Sequence, residues 1–585
     1  MSFDTEDDTH GNIIIGNIFD GEKYYWYETQ DEFMDHIRDI SNKYGKQRVY
    51  LVATNLEYDM INSFKGYYNR IDLMYAGRLI NFKVKDSNIY GMDSLNHYKD
   101  GIKAQGERLG INKLKVDVKN LKKDSIENVK SYNAQDTKIC LAAMDLHQKS
   151  INTFGGELRD TAAGTALNLF RRKFLHQNIR RPEDADLEFM KQGYYGGRVE
   201  IFNMELRSDD KYKIRYYDIN SLYPDVMLNN SFPDPNTIYH GKSIEVEGVS
   251  EVEIEYLKPE SVYIPYLPYK YAFKKNGSIR LMFPVGKLYG TWSNFELRYA
   301  INHNLIRINK LIRSVNFEKS EYYFKDYMEY MYAERKRYKQ GKDLLSVYMS
   351  NTTKLYMNSL YGKFFEHVDS DATTCDSDGI ISIEPKENYW PAHSNGIWSL
   401  MTTAYARTKE YEGLKKIVDK GGQLGYCDTD CAVYKGNDGI LTVSNEIGDF
   451  KQEGTYKYAR FYLPKTYLLV DENNEAFITA KGIPSNNSLE DEGAYYFIKE
   501  GFGGNMEDPL KINKKYKYKL EFLKNGKTTV KAPVRFKESF RSIKYKNKPN
   551  VWRDKEKYMK ALYLKRVVLK NGDTRPFIMK DDKLV

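Results

Sequence analysis

Gly425-Tyr426-Cys427-Asp428-Thr429-Asp430 sets two carboxylates two residues apart in an otherwise apolar neighbourhood. Side chains at i and i+2 lie on the same side of an extended strand but diverge when the chain turns tightly between them. A hairpin apex is therefore expected here, with Asp428 facing a cleft and Asp430 curling towards the same hard cation, which prefers oxygen ligands. Asp is also a common turn residue, so Asp-Thr-Asp alone reads equally well as a solvated surface turn. The rest of the chain has to decide.

Upstream, Tyr217-Asp218-Ile219-Asn220-Ser221-Leu222-Tyr223-Pro224 carries a third isolated acid at the end of an expected strand. Between the two acidic stretches lies Lys354-Leu355-Tyr356-Met357-Asn358-Ser359-Leu360-Tyr361-Gly362. On a helix Lys354, Asn358 and Tyr361 fall at i, i+4 and i+7, so a cation, an amide and an aromatic share one face. Such a face suits a triphosphate, a backbone and a base.

The N-terminal part holds a second group of acids. Ser2-Phe3-Asp4-Thr5-Glu6 places Asp4 and Glu6 on one face of a strand, and Ile13 to Ile15 and Tyr24 to Tyr27 read as further strands of an antiparallel edge. Few residues precede Asp4, so the strand that carries it is expected to be short. Val49 to Ala53 reads as a buried strand running into Asn55 and Asp59, and Tyr132 and Asp136 lie four apart on a helix. Four carboxylates from three segments, converging on two metals about 4 Å apart, would activate water and stabilise a leaving 3′ oxygen. Farther on, Gln192 to Arg198 contains Tyr194-Tyr195-Gly196-Gly197, read as a Gly-rich loop between strands that lets a backbone approach closely.

Bulk properties agree with a nucleic-acid partner. The chain has 585 residues, enough for several domains, a net charge of +9 and 51 tyrosines. Cations for phosphate interleaved with rings for stacking are what a nucleic-acid groove needs. A run of about eighteen apolar residues is absent and the N-terminus is acidic, so neither a membrane span nor a secretory signal is expected. Cys140, Cys375, Cys427 and Cys431 form no CxxC pair and no disulfide framework, which fits a reducing cytoplasm.

In order, DxxSLYP (Asp218 to Pro224), KxxxNSLYG (Lys354 to Gly362) and YxDTD (Tyr426 to Asp430) resemble the palm and fingers motifs of family B DNA polymerases. The chain is most similar to the phi29-type, protein-primed branch found in phages with linear genomes. The resemblance implies an α/β (α+β) multidomain fold: an RNase H-like 3′-5′ exonuclease domain, then a right-hand palm, fingers and thumb with two insertions. The boundaries it implies are residues 1–158 for the exonuclease, 159–229 and 398–485 for the palm, 230–329 and 366–397 for the insertions, 330–365 for the fingers and 486–585 for the thumb.

The site residues follow from the same resemblance. Asp218 and Asp428 would hold two Mg²⁺ ions, with Mn²⁺ as a substitute, and Asp430 would assist. Tyr223 would stack beneath the sugar, Lys354 and Lys342 (or Lys339, about one turn before it on a helix expected to start near Tyr327) would bind the triphosphate, and Asn358 and Tyr361 would face the incoming nucleotide. Asp4, Glu6, Asp59 and Asp136 resemble the metal ligands of DEDD proofreading exonucleases. Tyr132 would position the attacking water, Lys115 resembles the catalytic-site lysine, and Asn55, Ser94 and Leu95 resemble residues that hold a single-stranded 3′ end. Tyr194, Gly196 and Gly197 match the YxGG motif that contacts template. Lys465 and Tyr467 match KxY, with Lys465 on the primer end and Tyr467 at the minor groove, and Lys481 is expected on a DNA phosphate.

The long stretches between Asp218 and Lys354, with a hairpin expected at Asn276-Gly277, and between Asn358 and Asp428 fall where this branch carries its terminal-protein regions. The first would dock a terminal protein that serves as primer, and the second would close a ring that gives processivity and strand displacement. The expected partners are template and primer DNA, dNTPs and that terminal protein, with no membrane, for a monomer in the host cytoplasm. The tail from Lys511, with turns expected at Asn525-Gly526 and Asn571-Gly572, is longer than the thumb of this branch. A DNA-primed family B polymerase with ordinary loops is the alternative. A pure exonuclease would leave everything after Gly197 without purpose, and a single-strand binding protein would not need carboxylates beside phosphates.

Overall fold

The structure is a computed structural model and describes residues 1–8, 12–75, 79–98, 101–116, 125–273, 279–368, 371–375, 381–385, 388–483, 495–498, 509–513, 516, 519, 523–524, 527–535, 552–560, 562–581 and 583–585. The turns expected at Asn276-Gly277 and Asn525-Gly526 lie outside the described residues. Two compact units emerge: Met1–Asn178 with Asp326–Ser394 and Pro533–Asp554, and Ile179–Lys325 with Asn395–Ala532 and Lys555–Val585.

The helices that matter below are α1 (Gln30–Tyr44), α2 (Leu56–Ser63), α3 (Ile102–Leu109), α4 (Ile126–Phe154), α5 (Ala162–Lys173) and α6 (Asp184–Gln192). They are followed by α7 (Leu222–Asn229), α8 (Asn294–Asn302), α9 (Lys325–Lys339), α10 (Leu344–Ser359) and α11 (Ile397–Asp419). Strands are β1 (Ser2–Asp7), β2 (Ile13–Phe19), β3 (Tyr24–Tyr27), β4 (Val49–Ala53), β5 (Ile71–Tyr75), β6 (Leu79–Val84), β7 (Ile89–Asp93), β8 (Val199–Ile201), β9 (Glu205–Arg207) and β10 (Lys213–Ile219).

The first unit is built on a seven-stranded sheet in the order β3-β2-β1-β4-β7-β6-β5. β4 and β7 run parallel, whereas β1, β2 and β3 form an antiparallel meander. Alternation along β1 buries Phe3 and Thr5 and turns Asp4 and Glu6 to the other face. β1 is not cut short as its sequence position implied: it runs for six residues because β2 pairs with it from Ser2 to Asp7. α1 opens on a capping box in which Thr29 and Glu32 satisfy each other's backbone, and it buries Phe33, Ile37 and Ile40 at helical spacing. Those side chains join Phe3, Ile18, Leu51 and Phe82 in the core of this unit. α4 begins at the Ser125 cap and runs 29 residues before Gly155 ends it in the left-handed region.

The second unit centres on a five-stranded sheet in the order Phe450–Tyr456, β10, Cys431–Gly436, Gln423–Asp428, β8. α11 packs on it and on α7, burying Tyr411, Leu414 and Ile417 in the core that also takes Tyr217 and Cys427. A six-stranded sheet carries Ile238–Gly241, Ile306–Phe317, Gly248–Tyr256 and Val285–Ser293, then Ile578–Lys580 and Lys583–Leu584. In Gly248–Tyr256, Val252, Ile254 and Tyr256 point inwards and Glu253 is exposed, the alternation the sequence carries.

Two expectations change and one holds. The tail does not stay within a thumb from residue 486 onwards, because Ile578–Lys580 pairs in parallel with Val285–Ser293. Asn571 and Gly572 do form a turn, between the Val567–Val568 and Thr574–Arg575 strands. The Gly-rich segment is not a loop between two strands, since it follows α6 and leads into β8. No helix among the described residues is long and apolar enough to cross a membrane.

Candidate active site

The Asp-Thr-Asp stretch is the apex of a two-residue hairpin. Gln423–Asp428 and Cys431–Gly436 pair antiparallel with Asp428 opposite Cys431. Thr429 sits at φ 66°, an uncommon conformation for a β-branched residue, and the Asp430 N–H donates to Asp428 O at 2.7 Å. The surrounding contacts hold this strain: Thr429 N–H donates to Arg198 O at 2.7 Å and Ile219 N–H to Asp430 O at 2.6 Å. β10 lies beside the hairpin with Asp218 opposite Cys431, so Asp218, Asp428 and Asp430 sit at neighbouring strand ends. Ser221, in the left-handed region, then starts α7, which carries Tyr223 in its first turn.

Two further segments close on the apex. A Cβ on Gly197 would lie 2.6 Å from Thr429 Oγ1, so only glycine fits there, whereas one on Gly196 would meet nothing within 4 Å among the described residues. Tyr194 is half-buried in the same loop. Lys465, in the left-handed region of the turn between Tyr458–Leu463 and Thr466–Val470, lays its ammonium 2.6 Å from both Asp428 carboxylate oxygens. Tyr426 holds this arrangement, its hydroxyl donating to Asp428 Oδ2 at 3.0 Å and accepting from Lys465 N–H at 2.9 Å. Tyr467 packs 5.4 Å from the Tyr426 ring, and Lys481 N–H donates to Lys465 O at 3.1 Å, which brings both lysines to one edge.

The first unit assembles the other acids. Asp4 and Glu6 on β1 and Asp136 on α4 offer carboxylate oxygens within 4.8 Å of one another. Asp59, on α2, accepts from Thr5 N–H at 3.1 Å and bonds Asp4. Burial pushes the Asp4 carboxyl up to about 7, with Asp136 adding to it, and burial likewise raises Glu6, Asp59 and Asp136. A buried cluster of oxygens at odds with its own charge is a fit for hard divalent cations. Tyr132 lies one turn before Asp136 on α4. Asp93 gathers the candidate strand-holding residues, its Oδ1 accepting from Asn55 N–H at 3.0 Å and Leu95 N–H at 2.9 Å, while Thr54 bonds Ser94 at 2.8 Å.

Lys115 is not drawn into this cluster. It is exposed, and Lys113 instead places its ammonium on Asp136 and 4.5 Å from the Tyr132 ring. Two readings around α10 also change. Lys342 stands in the connection before the Asp343 cap rather than on a helix, because α9 ends at Lys339. Tyr361 leaves the Lys354–Asn358 face, because α10 ends at Ser359 and Tyr361 opens a short 3₁₀ turn. Lys354 and Asn358 do keep their i, i+4 relation, with Asn358 Nδ2 donating to Lys354 O at 2.8 Å.

Residues 78–391 match the family model of type B DNA polymerases of organelles and viruses. The chain belongs to this family. Similar proteins include the DNA-directed DNA polymerase of Enterobacteria phage PRD1, 23% identical over 391 residues covering 63% of this chain and 65% of that protein. A probable DNA polymerase of Podospora anserina is 24% identical over 420 residues, 61% of this chain and 33% of that protein. The match thus spans less than two thirds of either relative. Among solved structures, Phi29 DNA polymerase complexed with primer-template DNA superposes with a TM-score of 0.66 at 17% identity, covering 88% of this chain and 99% of that one. The fold is therefore that of an α/β multidomain type B polymerase.

Several residues of this chain carry structure that sequence reading passed over. Asn133 Nδ2 donates to Asp4 Oδ2 at 2.7 Å, and its own Oδ1 accepts from Asn17 at 2.5 Å. Arg407, on α11 and 3% exposed, pairs with buried Glu296 at 2.8 Å and donates to Tyr195 O at 2.5 Å and Gly196 O at 3.2 Å. Arg198, Glu200 and Arg566 lie buried behind the hairpin, with Arg566 supplied by the C-terminal tail. Asn133, three residues before Asp136, carried the only local hint, and Lys113, Arg407 and Arg566 had none.

Proposed function

We propose that the chain is a template-directed DNA polymerase with a 3′-5′ proofreading exonuclease, initiating on a protein primer and displacing strands as it copies a linear genome. The observation that carries the reading is the meeting of Asp218, Asp428 and Asp430 at adjacent strand ends, beside a lysine that already lays positive charge on Asp428. The names of the relatives, and the primer-template DNA and incoming nucleotide named in the Phi29 structures, support the same substrates here.

An all-oxygen donor set suits Mg²⁺, with Mn²⁺ as a substitute; two such ions would supply Lewis acidity for the 3′ hydroxyl and neutralise the departing pyrophosphate. Asp218 and Asp428 would hold them, with Asp430 assisting. Lys465 would exchange Asp428 for a primer phosphate when DNA arrives, and Tyr467 would line the minor groove. Tyr194, Gly196 and Gly197 would receive the template backbone, the exposed Gly196 peptide allowing close approach. Lys481 would take a further phosphate. Lys354 and Lys342 would bind the triphosphate, Asn358 and Tyr361 the nucleotide and nascent pair, and Tyr223 would exclude a 2′ hydroxyl. In the exonuclease, Asp4, Glu6, Asp59 and Asp136 would hold metal, Tyr132 would orient water, and Asn55, Ser94 and Leu95 would grip the 3′ end. Lys113 takes the place beside the acids first given to Lys115.

Residues 230–329 would dock the terminal protein, whose hydroxyl replaces the primer 3′ oxygen at initiation, and residues 366–397 would enclose DNA. The protein would act as a monomer in the host cytoplasm. The test is extension of one primer on a long circular single-stranded template by this protein alone, with Mg²⁺ and dNTPs. Products many template lengths long are expected. Products that stop within one circuit would leave a DNA-primed polymerase, and absence of incorporation would overturn the reading. Protein priming is tested separately, by transfer of labelled dNMP to the cognate terminal protein.

A further inference from the structure

α10 buries Tyr348, Met349, Thr352, Thr353, Tyr356 and Met357 and leaves Lys354 exposed. At 100° per residue, Lys354 and Asn358 fall opposite the face shared by Tyr348, Thr352 and Tyr356. What lies against that buried face is unusual for a helix packing on a helix, because it is polar. His147, on α4, bonds Tyr348 Oη through Nδ1 at 2.5 Å and Tyr356 Oη through Nε2 at 3.1 Å. Tyr348 also bonds Tyr98 Oη, and Tyr98 donates to Ala143 O at 2.8 Å, again on α4.

The direction of every proton in this chain is forced. A carbonyl only accepts, so the single Tyr98 proton goes to Ala143 O. Tyr348 must then donate to Tyr98, which leaves its oxygen to accept from His147 Nδ1–H. Burial drives the His147 pKa well down, so the ring is neutral and Nε2 carries a lone pair. That lone pair accepts from Tyr356. Each hydroxyl donates once, and the imidazole is the only member that spans both tyrosines of α10, two turns apart. Removing it leaves the buried Tyr356 hydroxyl without its acceptor and Tyr348 without one of its donors, whereas a neighbouring helix held only by Met and Leu contacts would be free to slide. The rings add edge contacts, with centroids 6.1 Å and 6.0 Å from His147 to Tyr348 and Tyr356. The His97 ring, 4.9 Å from that of His147, has neither nitrogen bonded among the described residues.

We infer that His147, Tyr348 and Tyr356 are positioning residues that set the rotation and height of α10, and through it where Lys354 and Asn358 meet the incoming nucleotide. The role of those two residues rests on the polymerase reading above. The bridge itself joins α10 to the helix that carries Tyr132 and Asp136, so the nucleotide face is referenced to the exonuclease scaffold. α4 keeps its own ties to β1 through Asn133 with Asp4 and Ser2 with Thr137 O, and these do not pass through His147.

The test uses the full chain with three substitutions. His147→Phe keeps a ring and removes both bonds, His147→Gln keeps one donor and one acceptor, and Tyr348→Phe removes a single hydroxyl. Expected is a rise of about tenfold in KM for dNTP in His147→Phe, with kcat within about twofold. Most of that rise should be recovered in His147→Gln, and Tyr348→Phe should be intermediate. Amide hydrogen exchange should speed up along α10 in His147→Phe while α4 keeps its protection, which separates misplacement from general unfolding. Equal KM values in all three variants and the unaltered protein would overturn the inference. If the unaltered protein incorporates no dNTP, it is the polymerase reading that fails. Hydrogen exchange still tests the bridge, and undiminished protection of α10 in His147→Phe would end it.

Discussion

The ammonium of Lys465 lies 2.6 Å from both carboxylate oxygens of Asp428, held there by a left-handed turn at its own backbone. The lysine side chain is about half exposed, so the pair contributes about 1 kcal/mol at most and is readily exchanged. Lys465→Met should therefore tighten divalent-cation binding at Asp428 by up to about fivefold, while weakening the hold on a primer terminus. A Mn²⁺ titration followed by electron paramagnetic resonance measures the first effect. Unchanged or weaker affinity would mean that Lys465 keeps its contact when the cation is bound.

Asp428→Asn preserves shape but removes the charge and one of the two acceptor oxygens at the hairpin apex. Nucleotide incorporation should fall by roughly a thousandfold or more, equivalent to about 4 kcal/mol of transition-state stabilisation. Primer-template affinity in a gel-shift titration should stay within a few fold. Retained incorporation would remove Asp428 from the chemistry.

Metal and proton should compete at the Asp4 cluster. Burial, with Asp136 assisting, raises the Asp4 carboxyl from 3.8 to about 7. A carboxyl raised on folding stabilises the protein below its unfolded value, and that stability is lost as pH rises through the folded value. In chelator, Asp4 thus costs stability as pH climbs from 3.8 through about 7. Mg²⁺ favours the ionised form, so the gain in melting temperature on adding it should be larger near pH 8 than near pH 6. Taking the gain rather than the melting temperature cancels His97, whose pKa burial lowers from 6.5 to about 3 and whose contribution is present above 6.5 and lost as pH falls. Asp4→Asn should shrink the difference between the two pH values, and equal gains in the unaltered protein would contradict the assignment.

Adjacent glycines should behave differently. Gly197→Ala drives a methyl to 2.6 Å from Thr429 Oγ1 and must displace the hairpin apex, at about 1–3 kcal/mol and with a clear fall in incorporation. Gly196→Ala meets nothing within 4 Å among the described residues, so its melting temperature should be unchanged. Any loss in Gly196→Ala would appear as weaker template binding. Thermal melts of both variants, read beside primer extension, separate the two cases.

Arg407 and Glu296 form a buried ion pair, 3% and 1% exposed, that also anchors the Tyr195-Gly196 carbonyls. Arg407→Ala leaves a buried carboxylate without its partner and should destabilise by about 3–5 kcal/mol. The joint Arg407→Met, Glu296→Gln change should cost less, because no lone charge remains. Denaturant midpoints of the three proteins decide this.

What the sequence determined by itself was local. Acid spacing and β-strand alternation made Asp428 and Asp430 the apex of a hairpin, put Asp4 and Glu6 on one strand face, and placed Asp136 on a helix, because strand and helix periods are written within a few residues. Chain order of the motifs carried the family. Partners distant in sequence were decided only by tertiary packing: Lys113 rather than Lys115 on Asp136, Asn133 on Asp4, Gly197 under Thr429, Arg407 on the Gly-rich loop, and the tail strand beside Val285–Ser293. The end of α10 before Tyr361 belongs with these, since nothing in Ser359-Leu360-Tyr361 breaks a helix by itself. A lysine among several lysines, or an arginine in an ordinary helix, has no local mark of its role; which of them meets a carboxylate depends on how elements 23 residues apart, for Lys113 and Asp136, or 111 apart, for Glu296 and Arg407, pack together.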